Sequence, residues 1–171
     1  MATAQIIQGN DTVEVEIFIA APPTRVFQAI SDPSQTAQWW GQKGLYRVTK
    51  AEAEVRVGGE WRSSGIGDDG KEFSVGGKYL EVNPPRLLVH TWNPSYKQLP
   101  ETVVRWELEP EEVHGLHSRG PAKVGTGTQV RIRHSGFAGN IEACKGHGDG
   151  WMRVLGWMQK FVEEGKTIET R

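Results

Sequence analysis

The sequence predicts an α+β domain: a curved antiparallel sheet of about six to seven strands wrapped around one long C-terminal helix, with two short helices after the first strand. Three observations predict it. From Gly148 to about Glu164, Trp151, Val154, Leu155, Met158, Phe161 and Val162 fall on one side at helical spacing, with Trp157 at the edge. Arg153, Lys160 and Glu164 fall opposite. This arc is wider than the roughly 100° stripe of an ordinary surface helix, so it needs a broad, concave apolar surface to lie on. The chain before it is mostly strand-like segments joined by short turns, the pattern of an antiparallel sheet. Helices segregated to one side of that sheet make the class α+β.

The elements follow in order. Residues 1–12 are polar and read as a flexible arm. Val13, Val15, Ile17 and Ile19 then alternate with Glu14, Glu16 and Phe18, a half-buried strand. Ala21-Pro22-Pro23-Thr24 ends it and opens a short helix carrying Val26, Phe27 and Ile30, with proline tolerated in the first turn. Ser31-Asp32-Pro33 breaks that helix and caps a second, Ser34 to Trp40, stopped by Gly41 and Gly44. Strands are expected at 46–57, 60–66, 72–82, 86–92, 102–109 and 126–135, punctuated by Gly58-Gly59, Gly67-Asp68-Asp69-Gly70 and Asn83-Pro84-Pro85. Residues 111–125 read as an exposed insertion, too long for a tight hairpin. In the final helix Asp149 is the expected N-cap and Gly165 the stop. The domain is expected to span 13–165, with 166–171 as a tail.

Composition narrows the function classes. A chain of 171 residues suits one domain that buries roughly 70% of its unfolded surface without staples. Twenty basic residues against 21 acidic ones leave a net charge of −1. That balance argues against a general nucleic-acid or anionic-membrane partner, since both want a basic excess. Cys144 is the only cysteine, so no internal disulfide can form, and a reducing, cytoplasmic setting fits. No signal-peptide pattern is evident, and no apolar run approaches the roughly 18 residues of a membrane span. Seven tryptophans in one small domain must share a core or line a cavity.

An ordered set of segments then carries a resemblance. It comprises 20–27 (Ala-Ala-Pro-Pro-Thr-Arg-Val-Phe), Asp32-Pro33 with Gln38-Trp39-Trp40-Gly41, Gly58-Gly59-Glu60-Trp61-Arg62, and 82–89 (Val-Asn-Pro-Pro-Arg-Leu-Leu-Val). Thr91-Trp92, Val104-Arg105-Trp106-Glu107-Leu108, Gly127-Thr128-Gln129-Val130, His134-Ser135-Gly136-Phe137 and Gly150-Trp151 complete it. With these, residues 13–164 resemble the SRPBCC superfamily of helix-grip, START-like and birch-pollen-allergen-like domains. Within it the chain is similar to the bacterial group named after the C-terminal domain of the activator of the 90-kDa heat-shock protein ATPase. The resemblance implies a helix-grip fold with a deep, mostly apolar cavity between sheet and long helix. It implies binding of small hydrophobic molecules in many relatives and chemistry in a few, with no shared catalytic residue.

The candidate ligand-binding residues are Trp39, Trp40, Trp61, Tyr79, Trp92, Trp106, Trp151, Leu155 and Met158. Trp39-Trp40 ends the second short helix, where the resemblance places the cavity rim, and reads either as a stacking platform or as a core seal. Trp61, Tyr79, Trp92 and Trp106 lie on separate strands and line a pocket if they face inward, though a bulge would reverse that facing. An acid–base site would use His90 or His134 with Arg105; the simpler reading puts Arg105 and Glu107 on the solvated face. His114 and His117 lack a third metal ligand. The glycines at 146, 148 and 150 lack the lysine spacing of a phosphate loop and read as helix capping. No catalytic set, metal or cofactor is called for. The expected partner is a small hydrophobic or aromatic ligand, with a homodimer through Val13–Ile19 or exposed aromatics as an added possibility.

Three functional readings compete. A binding or carrier protein predicts an apolar cavity with few polar groups. A cyclase, dehydratase or hydrolase predicts converging ionisable groups inside it. A module tied to a chaperone or to stress signalling predicts an exposed apolar patch instead.

Overall fold

The computed structural model describes residues 2–7, 11–113 and 125–171. Strands β1 (Thr3–Ile7) and β2 (Thr12–Ile19) precede two short helices, α1 (Pro23–Ser31) and α2 (Pro33–Trp39). Seven strands follow: β3 (Gly41–Gln42), β4 (Tyr46–Ala53), β5 (Glu60–Gly67), β6 (Glu72–Asn83), β7 (Leu87–Pro94), β8 (Thr102–Val113) and β9 (Gly125–Ser135). The chain then enters one long helix, α3 (Ile141–Glu164). The strands form one antiparallel sheet in the order β1-β2-β9-β8-β7-β6-β5-β4-β3. This is the α+β helix-grip architecture with nine strands rather than six or seven.

The two additional strands lie at the edges. Thr3–Ile7, expected within a loose arm, pairs antiparallel with Thr12–Ile19. Val13–Ile19 is therefore an inner strand between β1 and β9, not the edge that a strand-paired dimer would use. The two-residue β3 is too short for periodicity to detect. Strands β8 and β9 also run further than expected, pairing Glu111 with Gly127 and Val113 with Gly125. Both flanks of the expected insertion thus belong to a ladder, while 114–124, with His114 and His117, lies outside the described residues.

The alternation in β2 is used in full. Val13, Val15, Ile17 and Ile19 are each at most 2% exposed, and they pack with Val130 and Ile132 of β9 and Leu155, Met158 and Phe161 of α3. Burying each such side chain contributes roughly 1.5–3 kcal/mol, which is why the helix stays on the sheet. The outward residues pair instead. Arg105 bridges Glu107 at 2.6 Å and Glu81 at 3.2 Å, and Arg131 reaches Glu107 at 3.7 Å. Arg105 and Glu107 thus stand on the solvated face, away from any acid–base site.

Helix α3 begins seven residues before Gly148. Its N-cap is Asn140, whose side chain accepts from the Ala143 N–H at 3.1 Å, and Asp149 lies inside the helix. The glycines that read as a cap are helical residues. A Cβ on Gly148 would meet Val13 Cγ2 at 3.0 Å, so glycine there lets the helix approach β2 closely. Gly165 does end the helix, at φ +69°. Residues 166–171 then fold back. Ile168 is 2% exposed and donates its N–H to the Gln38 carbonyl, while Arg171 donates to the Trp39 and Gly41 carbonyls. This strap fastens the α2–β3 junction that carries Trp40.

Candidate functional site

Helix α3 packs on β1 and β2, and a cleft opens between it and the other end of the sheet. It has a volume of about 640 Å³. One wall is α3, presenting Gly146, His147, Gly150, Trp151, Arg153 and Val154. The other comes from the ends of β4 to β7, with Tyr46, Val48, Trp61, Phe73, Val75 and Trp92, and from Tyr96 and Lys97 in the following loop. Beyond Trp40, Trp61 and Trp92 lies a second, inner chamber of about 40 Å³, bounded by Ile30, Tyr79, Leu88, His90 and Trp106. That inner volume is about what one or two waters need, whereas the outer cleft has room for a drug-sized molecule.

An aromatic cluster separates the two chambers. Trp92 is its hub, with ring centroids 5.2 Å from Trp151, 5.5 Å from Trp61 and 6.4 Å from Trp40. The rings meet at tilted and stacked angles suited to their quadrupoles. Most of the indole N–H groups are tied down. Trp61 donates to the Thr91 carbonyl at 3.2 Å and Trp157 to Gln42 at 3.1 Å. Burial pushes the pKa of the Tyr46 hydroxyl up, with Trp40 beside it acting in the opposite direction. Trp92 is the exception: its buried N–H has no partner among the described residues. An unpaired buried donor costs about 1–3 kcal/mol and calls for an explanation.

Both core-strand histidines are held neutral. His90 Nδ1–H donates to the Thr91 carbonyl at 3.0 Å, and its Nε2 accepts from the Trp106 indole at 3.1 Å. Burial pushes its pKa down to about 4. His134 Nδ1 accepts from the Trp151 indole at 3.0 Å, while its Nε2–H donates to the Thr102 hydroxyl at 2.7 Å. Burial, followed by the neighbouring His147 and His90, holds it well below the ordinary value. Each ring has its one acceptor nitrogen occupied by an indole, so neither can take up a proton without breaking a buried hydrogen bond. Among the described residues no group of three or more His, Cys, Asp or Glu is placed to hold a metal ion.

The structure sorts the predicted residues into three groups. Trp40, Trp61, Trp92 and Trp151 line the outer cleft, and Tyr79 and Trp106 line the inner chamber. Trp39, Leu155 and Met158 line neither; each is 0% exposed. Trp39 is fixed by donating to the Ala29 carbonyl at 2.9 Å, so of the Trp39-Trp40 pair one ring seals the core and the other faces the cleft. Tyr46, Phe73, Tyr96, Lys97, Gly146, Gly150 and Arg153 were missed. A signal existed for three of them: Gly146, Gly150 and Arg153 recur at i, i+4 and i+7, one face of a helix that starts at Ile141.

Comparison with known proteins adds a family and a set of folds. The sequence profile of the family described as Activator of Hsp90 ATPase homolog 1-like protein matches residues 20–116. Among curated proteins none matches the sequence. A protein from Rhodobacter sphaeroides superposes with a TM-score of 0.74 at 17% identity, covering 97% of this chain and 100% of that one. The AHSA1 protein from Silicibacter pomeroyi does so with a TM-score of 0.70 at 22% identity, covering 91% and 99%. Protein Ms6760 from Mycobacterium smegmatis gives 0.69 at 20% identity, covering 94% and 93%. At these identities the likeness is one of fold. No helix among the described residues is long and apolar enough to cross a membrane.

Proposed function

The chain belongs to the Activator of Hsp90 ATPase homolog 1-like family, whose profile matches more than half of its length, and from that premise we propose that it binds a flat, largely apolar small molecule in the cleft beside α3. The observation that carries this reading is the cleft's aromatic floor. Trp40, Trp92 and Trp151 offer ring faces to a planar ligand, and the Trp92 N–H has no protein partner among the described residues. That nitrogen is enclosed by the surrounding rings, so a ligand oxygen would reach it only with a shift of those rings. The apolar body gains affinity from burial, and the few polar groups around the cleft fix its orientation.

The two histidines expected for acid–base chemistry are not free to perform it. His90 and His134 are both engaged as neutral hydrogen-bonding residues. A general base needs a free acceptor nitrogen within reach of the substrate. We therefore read the protein as a binding or carrier domain, with His147, its Nδ1–H held by the Ala143 carbonyl, as a lone imidazole on the cleft wall among the described residues.

Native mass spectrometry of the purified protein, followed by organic extraction, tests this reading. A defined co-purifying molecule of apolar or aromatic character is the expected result. If the protein is empty, tryptophan quenching is titrated with a panel of lipids and flat aromatics. Failure across the whole panel overturns the binding reading and favours the interaction module.

A further inference from the structure

The cleft changes character from floor to mouth. At the floor stand Trp40, Trp92 and Trp151; at the mouth stand Lys71, Lys97 and Arg153, with Asp69 and Glu72. Lys71 lies 3.8 Å from Asp69, so that pair answers itself. The side chains of Lys97 and Arg153 make no hydrogen bond or ion pair among the described residues, while Glu72 contributes one carboxylate from the β5–β6 hairpin. His147 adds no positive charge near neutral pH. Its Nδ1 is committed to the Ala143 carbonyl at 2.8 Å, and burial, with the Lys97 charge beside it, lowers its pKa. One cationic charge therefore remains unanswered at the mouth.

The two open cations belong to the helix side of the cleft. The Lys97 ammonium lies 3.9 Å from where a Gly146 Cβ would sit. Arg153 lies seven residues further along α3, close enough to Tyr46 for its charge to act on the phenol. Seven helical residues span about 10 Å, a gap that two long side chains can close onto one anion. Between them Gly150 has nothing within 4 Å of a built Cβ, which leaves the wall open for the body of a ligand.

We propose that the occupant of the cleft is an acidic aromatic amphiphile, its flat body against Trp92 and Trp151 and its carboxylate at the mouth, held by Lys97 and Arg153. This rests on the binding reading above and gives it a polarity: ring end in, acid end out. Burying the ring supplies most of the affinity, and the exposed cations select the charged molecule over its neutral analogue.

The test uses anthracene carboxylate and its methyl ester, followed by energy transfer from tryptophan, with the intact protein and the variant Lys97→Gln/Arg153→Gln. The intact protein is expected to prefer the acid by about tenfold at low salt, shrinking as salt screens the exposed charges. The double variant is expected to bring the acid down to the ester's affinity. Equal binding of acid and ester by the intact protein overturns the proposal while leaving the binding reading standing. A preference that survives in the double variant overturns the assignment to these two residues. Binding of neither probe by a folded protein overturns both readings together. Circular dichroism of the variant confirms that it is folded, since both substitutions are at exposed positions.

Discussion

The two ends of the sheet treat the same helix differently. At the β1–β2 end α3 lies close against the strands, and Gly148 removes even a methyl group to let it do so. The filling there is aliphatic: Val13, Val15, Ile17 and Ile19 from β2, with Leu155 and Met158 from the helix. At the β4–β7 end the helix overhangs a cleft, and the walls are tryptophan, tyrosine, phenylalanine and glycine. Gly148 and Gly150 are two residues apart with opposite uses: one permits contact and the other keeps a space open. Aliphatic side chains interdigitate and close a core, whereas large rigid rings fixed by hydrogen bonds can hold a surface apart.

Trp151 stands at the seam between the two ends, and replacing it should have the largest effect. Trp151→Ala should cost about 3–5 kcal/mol, through a cavity and the loss of the donor to His134. Urea unfolding measures it, and a loss below about 1 kcal/mol would place Trp151 outside the core. The closed end and the open end can then be set directly against each other. Leu155→Ala should cost about 2–5 kcal/mol, whereas Phe73→Ala, on the cleft wall and half-buried, should cost less than about 1 kcal/mol. Equal losses would erase the distinction between the ends.

Acid should destabilise the fold through the histidines between the chambers and beside the seam. The folded protein holds His90 with a pKa of about 4, below the ordinary 6.5. Folding therefore favours the neutral ring. That stabilisation is complete above the unfolded value and is lost as pH falls toward the folded one. At about 1.4 kcal/mol per pH unit, His90 accounts for a loss of about 3 kcal/mol by pH near 4. His134, lowered in the same direction, adds to it. Unfolding midpoints measured from neutral pH downward check this; a flat profile would mean that the rings are not held neutral. The smallest contrast lies within the helix. Gly150→Ala should stabilise by about 0.5–1 kcal/mol, since nothing obstructs the new methyl. Gly148→Ala should forfeit that gain because Val13 must move aside.

The closed end was more legible in the sequence than the open one, and the physical reason is periodicity. Val13 to Ile19 and the run from Trp151 to Val162 repeat at the spacing of their elements, so their buried faces could be read from one line of sequence. The cleft is assembled from strand ends, a loop and a glycine face, none of which repeats. A ladder irregularity between Tyr79 and Glu81 shows why facing could not be assigned from alternation. Tyr79 pairs with His90 on the inner side, yet Glu81, two residues on, meets Arg105 on the outer face. Trp39 and Trp40 show the same limit, since adjacent identical residues take opposite roles. The helix start was missed because three glycines in five residues look like a cap. Here they serve close approach and open space, which tertiary contacts decide rather than propensity.

The most direct test of the account is to fill the open end without touching the closed one. Gly150→Phe would place a ring into the cleft from α3, where a built Cβ meets nothing within 4 Å. Anilinonaphthalene sulfonate, a flat anionic aromatic, reports occupancy by its fluorescence. The account predicts that the intact protein binds it and that the folded Gly150→Phe variant binds at least about tenfold more weakly, with a thermal midpoint no lower than that of the intact protein. Unchanged binding by a folded variant would contradict the claim that the space beside α3 is the binding site.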